Sequence, residues 1–433
     1  MTRKELLIGA ALAAVVSIVG IGLVGFQLNM GTTSKVPAPI APRSQVEEPH
    51  PSLLYGRVTV GESATMEGRV RWGRDREAFW GDYFNGVKSE NPWLAYVPAE
   101  FRPAPFEILG VKVVRRGDDI QPSRPFMARF GDIARIERRG DDVFVTLKSG
   151  GVSKLNYSEQ TDFDNGLRVW DAKQGVFDLG PRHIRVVDFL PSPGAGAAPH
   201  RLYGTARTKA GDFTGFVEWN RLGNLGSDEI VGRAADSDRK IRFDTIRSIV
   251  RQSADVLLLT LVDGSEIALS EIVGAGDGNL RVYIDDARYG RVLVRDDVFE
   301  RIDFTPGGRS PVYTDFPPGR PLAGSVTTRD GRQLTGRLVY DLDESETTDT
   351  LDAPSQGVDY TLPFGLIASI ALTDGKDSAV VTLHTGEKLQ LERKGDLSER
   401  NGSLLIFREG ASQPEYVKWT NVERIDFARP STR

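Results

Sequence analysis

Two hydrophobic patterns divide this chain. From Leu6 to Phe26 the sequence runs 21 residues without a charge, interrupted by Ser17 and four glycines. A helix of that length spans roughly 31 Å, the thickness of a hydrocarbon core. The pattern predicts a transmembrane helix within residues 1–30, anchored by Leu6, Leu7, Ile8, Val15, Val16, Ile18, Val19, Ile21, Leu23, Val24 and Phe26. Beyond about residue 50 no such run recurs. Short apolar–polar alternations broken by glycine turns take over, which is the period of strands, and 3.6-residue periodicity is scarce.

Charge orients the helix. Arg3 and Lys4 precede it, which favours a cytoplasmic N-terminus and an extracytoplasmic body in the inner membrane. A cleaved signal peptide would carry a shorter apolar region, about 7–15 residues, ending at a small-x-small site. The exit here reads Gly25-Phe26-Gln27-Leu28-Asn29-Met30, so an uncleaved signal anchor is expected. Residues 31–52 follow, with Pro37, Pro39, Pro42, Pro49 and Pro51. Proline at that density stays extended and makes this a spacer.

The alternating part repeats three times. Openings read Tyr55-Gly56 with Gly68-x3-Trp72, Tyr203-Gly204 with Gly215-x3-Trp219, and Ala323-Gly324 with Gly336-x3-Tyr340. Each predicts two strands joined by a turn in which glycine supplies a positive φ, and the paired glycines are themselves read as turn residues. Next come Phe130-x2-Ile133-x2-Ile136, Phe243-x2-Ile246-x2-Ile249 and Phe364-x2-Ile367-x2-Ile370, a spacing that suggests one short helical turn feeding a strand. The copies close on Val187-Asp188-Phe189, Ile302-Asp303-Phe304 and Ile425-Asp426-Phe427, spaced 115 and 123 residues apart. The expected fold is all-β: an N-terminal transmembrane helix followed by three tandem small barrel or sandwich modules, at 53–190, 201–305 and 321–428. Each holds two meanders closed into one or two barrels. Trp72, Trp219 and Tyr340 are read as core, and Asp188, Asp303 and Asp426 as turn caps or acceptors of backbone N–H groups. The linkers, Pro191 to Pro199 and Thr305 to Pro321, are compatible with modest rotation between modules, unless packing between the repeats suppresses it.

The first copy departs from its sisters. From the opening aromatic to the Phe of the second signature is 24 residues in copies two and three, but 58 in copy one. The excess, at about 80–125, is rich in aromatics and proline. Tryptophan and tyrosine bury large amphipathic areas at contacts, so Trp80, Tyr83, Phe84, Trp93, Tyr96, Phe101 and Phe106 are candidate contacts for a partner protein. The alternative is that the insertion folds back over its own barrel or the linker.

Composition narrows the chemistry. There is no cysteine, so disulfides, zinc–thiolate sites and a cysteine nucleophile are excluded. Four scattered histidines leave little for histidine catalysis, and a net charge of -5 opposes a nucleic-acid partner. Neither a phosphate-binding glycine loop nor a nucleophile elbow, zincin or EF-hand pattern occurs. Asp341, Asp343, Glu344, Glu346, Asp349 and Asp352 form an acidic stretch without calcium-loop spacing, read as a solvated loop. Asp285-Asp286 and Asp296-Asp297 carry no further chemistry around them. Catalytic residues, cofactors and metals are therefore not expected.

The Gly-x-Val-Thr-x2-Asp-Gly-x4-Gly run at Gly324 to Gly336 resembles bacterial small-barrel modules of the Sm-like and PRC-barrel kind. One span followed by such modules is similar in layout to the H subunit of photosynthetic reaction centres, with three copies in place of one barrel and the body on the opposite side. The resemblance implies an accessory structural subunit of a reaction-centre and antenna assembly. The expected function is a non-enzymatic, elongated scaffold that holds an integral membrane complex together, lipid contact being confined to the helix. The alternative is a binder of an envelope polymer, peptidoglycan or polysaccharide.

Overall fold

Alternating sequences fold as strands when one face finds a core; among the described residues modules two and three supply ten each, and module one twelve with its inserted hairpin. The computed structural model describes residues 50–429 except 74, 103–105, 109–110, 114–123, 157–160, 195–199, 221–222, 236, 274–279 and 374–376. The anchor and most of the spacer lie outside the described residues. Among the described residues no helix is long and apolar enough to cross a membrane. All that follows belongs to one compact unit, Pro37–Arg433.

Module one holds β1 (Tyr55–Val60), β2 (Ala64–Trp72), β3 (Tyr83–Lys88), a small inserted hairpin β4 (Phe106–Ile108) and β5 (Val111–Val113), then β6 (Arg124–Arg129), β7 (Ile133–Arg139), β8 (Asp142–Leu147), β9 (Val152–Asn156), β10 (Leu167–Asp171), β11 (Gly175–Leu179) and β12 (Ile184–Phe189). Module two holds β13 (Tyr203–Thr208), β14 (Gly211–Trp219), β15 (Glu229–Ala234), β16 (Ser237–Arg242), β17 (Ile246–Arg251), β18 (Leu257–Leu261), β19 (Glu266–Leu269), β20 (Arg281–Asp286), β21 (Gly290–Arg295) and β22 (Phe299–Phe304). Module three repeats the plan with β23 (Ala323–Thr328), β24 (Gln333–Val339), β25 (Thr350–Ser355), β26 (Val358–Pro363), β27 (Ile367–Leu372), β28 (Ser378–Leu383), β29 (Lys388–Glu392), β30 (Leu404–Phe407), β31 (Glu415–Val417) and β32 (Val422–Phe427).

All pairing is antiparallel around the same centre. In module one the opening hairpin is flanked by the closing strand β12 on one side and by β10 on the other, giving β10-β2-β1-β12-β7, and the other modules repeat that order. The paired glycines sit inside this centre and not at turns: Gly56 faces Gly68, Gly204 faces Gly215 and Gly324 faces Gly336 across the hairpins. A Cβ on Gly68 would overlap the Trp170 carbonyl, and one on Gly56 the Asp188 carbonyl. Glycine there permits close strand approach at a bend. Positive φ belongs to the separate turn glycines, Gly61, Gly211 and Gly331.

The Phe-x2-Ile signature is, as its spacing suggests, a single 3-10 turn that opens a strand: Phe130–Asp132, Phe243–Thr245 and Phe364–Leu366. Trp72, Trp219 and Tyr340 are buried in the cores. The closing aspartates are not backbone caps. Asp188 faces Arg135 at 3.4 Å, Asp303 pairs with Arg301 at 2.5 Å and Asp426 with Arg424 at 2.6 Å.

The modules interlock. Hairpin β25–β26 of module three joins the sheet of module two through β26 on β21, and one hydrophobic core runs through both modules. The linker after module two crosses module one: Tyr313 and Phe316 enter its core, and the Tyr313 hydroxyl donates to the Ile133 carbonyl at 2.9 Å. Lys148 donates to the carbonyls of Tyr313 (2.6 Å) and Phe316 (3.0 Å). That linker is a strap packed on module one, the arrangement in which packing opposes rotation.

Candidate functional site

The segment between the second and third strands of each module carries the polar chemistry. After the buried aromatic the chain turns back on itself, Trp72 bridging Arg76, Trp219 bridging Gly223 and Tyr340 bridging Glu344. One carboxylate then ties each loop. Asp82 accepts from the amides of Glu77 (2.8 Å) and Ala78 (2.7 Å), Asp228 from Asn224 (3.0 Å) and Leu225 (2.9 Å), and Asp349 from Ser345 (2.7 Å) and Glu346 (2.9 Å). The carbonyl of the same aspartate accepts the amide of Phe130, Phe243 or Phe364, so one residue fixes the loop to the 3-10 turn. Sequence reading missed this triplet, although an aspartate follows the aromatic by ten, nine and nine residues. Burial pushes the Asp82 carboxyl up to about 7 and that of Asp349 up to about 6, against the cationic and backbone groups that favour the charge.

Between modules one and three the module-three loop meets a cavity of about 820 Å³. Its module-three wall is the acidic stretch, which is folded against module one and is not a solvated loop: Asp341 and Asp343 are buried. Module one supplies two cations. Lys88 Nζ lies 2.6 Å from Asp343, and Arg124 lies 3.2 Å from Asp341 and donates to the Asp341 carbonyl at 2.8 Å. Asn91 donates to the Leu342 carbonyl at 2.9 Å. Burial works against the Lys88 ammonium, but Asp343 and Asp349 hold it above its ordinary value. Burial, with neighbouring carboxylates, raises Glu344 and Asp396 well above the usual range, and lifts Asp341 to about 6 despite Arg124.

An apolar seam completes the contact. Val97 from the insertion packs with Val339, Leu342 and Leu405 of module three, alongside Trp93, Leu94 and Phe101. Phe101 stacks on Tyr416 at 5.5 Å, and Trp93 and Tyr96 meet Phe407 edge-on at 6.0 and 5.4 Å. The candidate partner contacts are thus engaged within the chain. Phe84 and Tyr83 are core residues of module one and present no surface. Trp80 lies against Phe316 at 6.1 Å, with Arg129 over its ring at 5.0 Å. Phe106 begins β4, and its side chain lies outside the described residues. Tyr96, at 39% exposure, is the most open of the group whose side chains are described.

Modules one and two meet through ions. Arg201 donates to the Trp80 carbonyl at 3.0 Å, and Arg291 bonds both the Gly81 carbonyl and Glu218. Asp285, buried there, is raised by desolvation against Arg291 and Arg201. Asp286 has another task, accepting from the Thr214 and Arg288 amides, both at 2.9 Å, to hold the turn before β21. Asp171 does the same in module one.

Among the described residues no group of three or more His, Asp or Glu is placed to hold a metal ion. The polar assembly between modules one and three pairs Lys88 with Asp343 and Arg124 with Asp341, and leaves Glu344 Oε2 and Glu346 Oε2 buried without a hydrogen-bond partner. No family model, no curated protein and no solved structure matches this chain significantly.

Proposed function

We propose that the chain is a membrane-anchored, non-enzymatic structural subunit that holds components of a larger integral membrane complex together. The observation that supports it most is the interlock: a shared sheet and core, a strap and an ion-paired clasp join the three modules. Such joints resist relative motion, a property that serves a spacer or brace and has no use in three independent binding heads. Anchoring by Leu6 to Phe26 would confine this block to the bilayer, where weak contacts with a neighbour sum through raised effective concentration. The layout likeness to the H subunit makes a reaction-centre and antenna complex the first assembly to examine.

The second reading is a binder of an envelope polymer, favoured by the cavity of about 820 Å³ with Trp93, Lys88, Lys154 and Glu90 on its wall. Purification of the full chain from native membranes in mild detergent separates the two. A fixed-ratio integral complex identified by mass spectrometry is the expected result. Retention on purified peptidoglycan or polysaccharide, with no protein companion, would overturn the structural-subunit reading.

A further inference from the structure

Strands β11, β21 and β31 hold equivalent places in the three modules, and each borders its sheet in its own module. Two are covered by another module. Edge β21 is paired by β26 of module three, in the register Arg291↔Thr361, Val292↔Tyr360, Leu293↔Asp359 and Val294↔Val358. At β30–β31 the insertion of module one lays Phe101 on Tyr416 and Trp93 on Phe407. Edge β11 has only β10 beside it, and no described residue pairs with its outer side. An open groove of about 420 Å³ crosses the face of the sheet at this end, lined by Arg71 on β2, Arg168 on β10 and Asp178 on β11 among others.

The donor that the plan provides for β11 is also free. In module three the hairpin β25–β26 reaches back to the preceding module. Its counterpart in module two, β15–β16, forms a separate two-stranded sheet, with β16 unpaired on its outer side among the described residues. The side chains of Ser237, Asp238, Arg239, Lys240 and Arg242 on that strand are exposed. One chain therefore carries an unfilled strand acceptor and an unfilled strand donor of the same type that pair elsewhere in it. Unpaired edges are templates for strand addition.

We infer that β16 of one copy adds to β11 of a second copy, so that the chain self-associates through the module-two to module-one contact it does not make within itself. The register follows from equivalence. Gly175 and Gly290 hold the same place after their turns, opposite Asp171 and Asp286, and Phe243 and Phe364 both follow the donor strand. Carried over, the ladder is Val176↔Lys240, Phe177↔Arg239, Asp178↔Asp238 and Leu179↔Ser237. The one like-charged pair in it is compensated. Arg168 already holds Asp178 at 2.7 Å, and Lys240 becomes the diagonal neighbour of Asp178 on the same face, close enough for long side chains to meet. This inference stands apart from the structural-subunit reading, since it concerns the copy number of the chain and not its partner.

A chain without cysteine is suited to the test. Full-length Asp178→Cys and Asp238→Cys variants, mixed in mild detergent and oxidised, are expected to give a disulfide-linked dimer several-fold above Asp178→Cys mixed with Glu399→Cys, a pair the ladder does not join. Light scattering of the unmodified chain is expected to give a protein mass of at least twice 47.6 kDa, since a donor-to-acceptor contact can join more than two copies. Crosslinking at the level of the control pair, or a monomer mass at every concentration, would overturn the inference. So would native membranes in which Asp178→Cys crosslinks to a different polypeptide and not to a second copy.

Discussion

Single residues decide how closely the strands of each module approach. Gly68 lies where β2 passes β10, and any side chain would press on the Trp170 carbonyl. Overpacking of that kind costs about 1–3 kcal/mol, so Gly68→Ala is expected to lower the urea midpoint. Alanine at Gly140, by contrast, would find nothing within 4 Å of its Cβ and meets only the strain of a positive φ. Asp228 shows the other kind of single-residue control. Its carboxylate satisfies two loop amides, and Asp228→Ala leaves both donors without it; charge-assisted bonds of this type carry roughly 1.5–3 kcal/mol each. A destabilisation of about 3 kcal/mol by urea unfolding is expected, and a change below about 1 kcal/mol would show that water replaces the carboxylate. The glycine pairs were visible in the sequence but their reason was not, because a turn and a close strand crossing both select glycine. The loop aspartates were hidden by a one-residue difference in spacing and by the many other acids around Asp349.

Elements explain the joints between modules. Hairpin β25–β26 extends a neighbour's sheet, and the insertion of module one seals module three with Val97, Trp93 and Phe101 around the Lys88 and Arg124 ion pairs. Removing one partner of a fully buried pair strands the other charge at a cost of about 3–5 kcal/mol, and Lys88, 20% exposed beside buried Asp343, falls below that range. Lys88→Met is therefore expected to speed hydrogen exchange across Val339 to Glu344 and in β30, while β13 to β22 stay protected. The same joint responds to pH. Asp341 and Asp349 titrate near 6 when docked, and Glu344, Asp352 and Asp396 are also raised, above the value of about 4 that exposed carboxyls show. Between those values the docked form binds more protons than the undocked one, so docking weakens as pH rises through this window. Facing these groups are Asp343 and Glu346 from the same loop and Lys88 and Arg124 from module one. Exchange in β30 is expected to be slower at pH 5 than at pH 7.5 after correction for intrinsic rates; the reverse order would mean that the ion pairs outweigh the buried acids. The insertion was legible as an addition with aromatic contacts, but not its target, since a sequence does not say which module its aromatics will reach.

At the scale of the whole molecule, three repeats folded into one body were only half legible. Threefold repetition, all-β character and the buried aromatics followed from period and spacing. The interlock did not, because it arises from contacts between Lys88 and Asp343, or Val292 and Tyr360, hundreds or tens of residues apart, that no local pattern announces. The linker at Thr305 to Pro321 illustrates the limit: its prolines left modest rotation and suppression by packing both open, and Tyr313 and Phe316 bind it to module one. A brace is useful only if its parts unfold and move together, and calorimetry of the full chain in mild detergent at neutral pH measures that directly. A single transition with calorimetric and van't Hoff enthalpies in agreement is the expected result. Two or three resolved transitions, or a calorimetric enthalpy well above the van't Hoff value, would show modules that act separately and contradict the account.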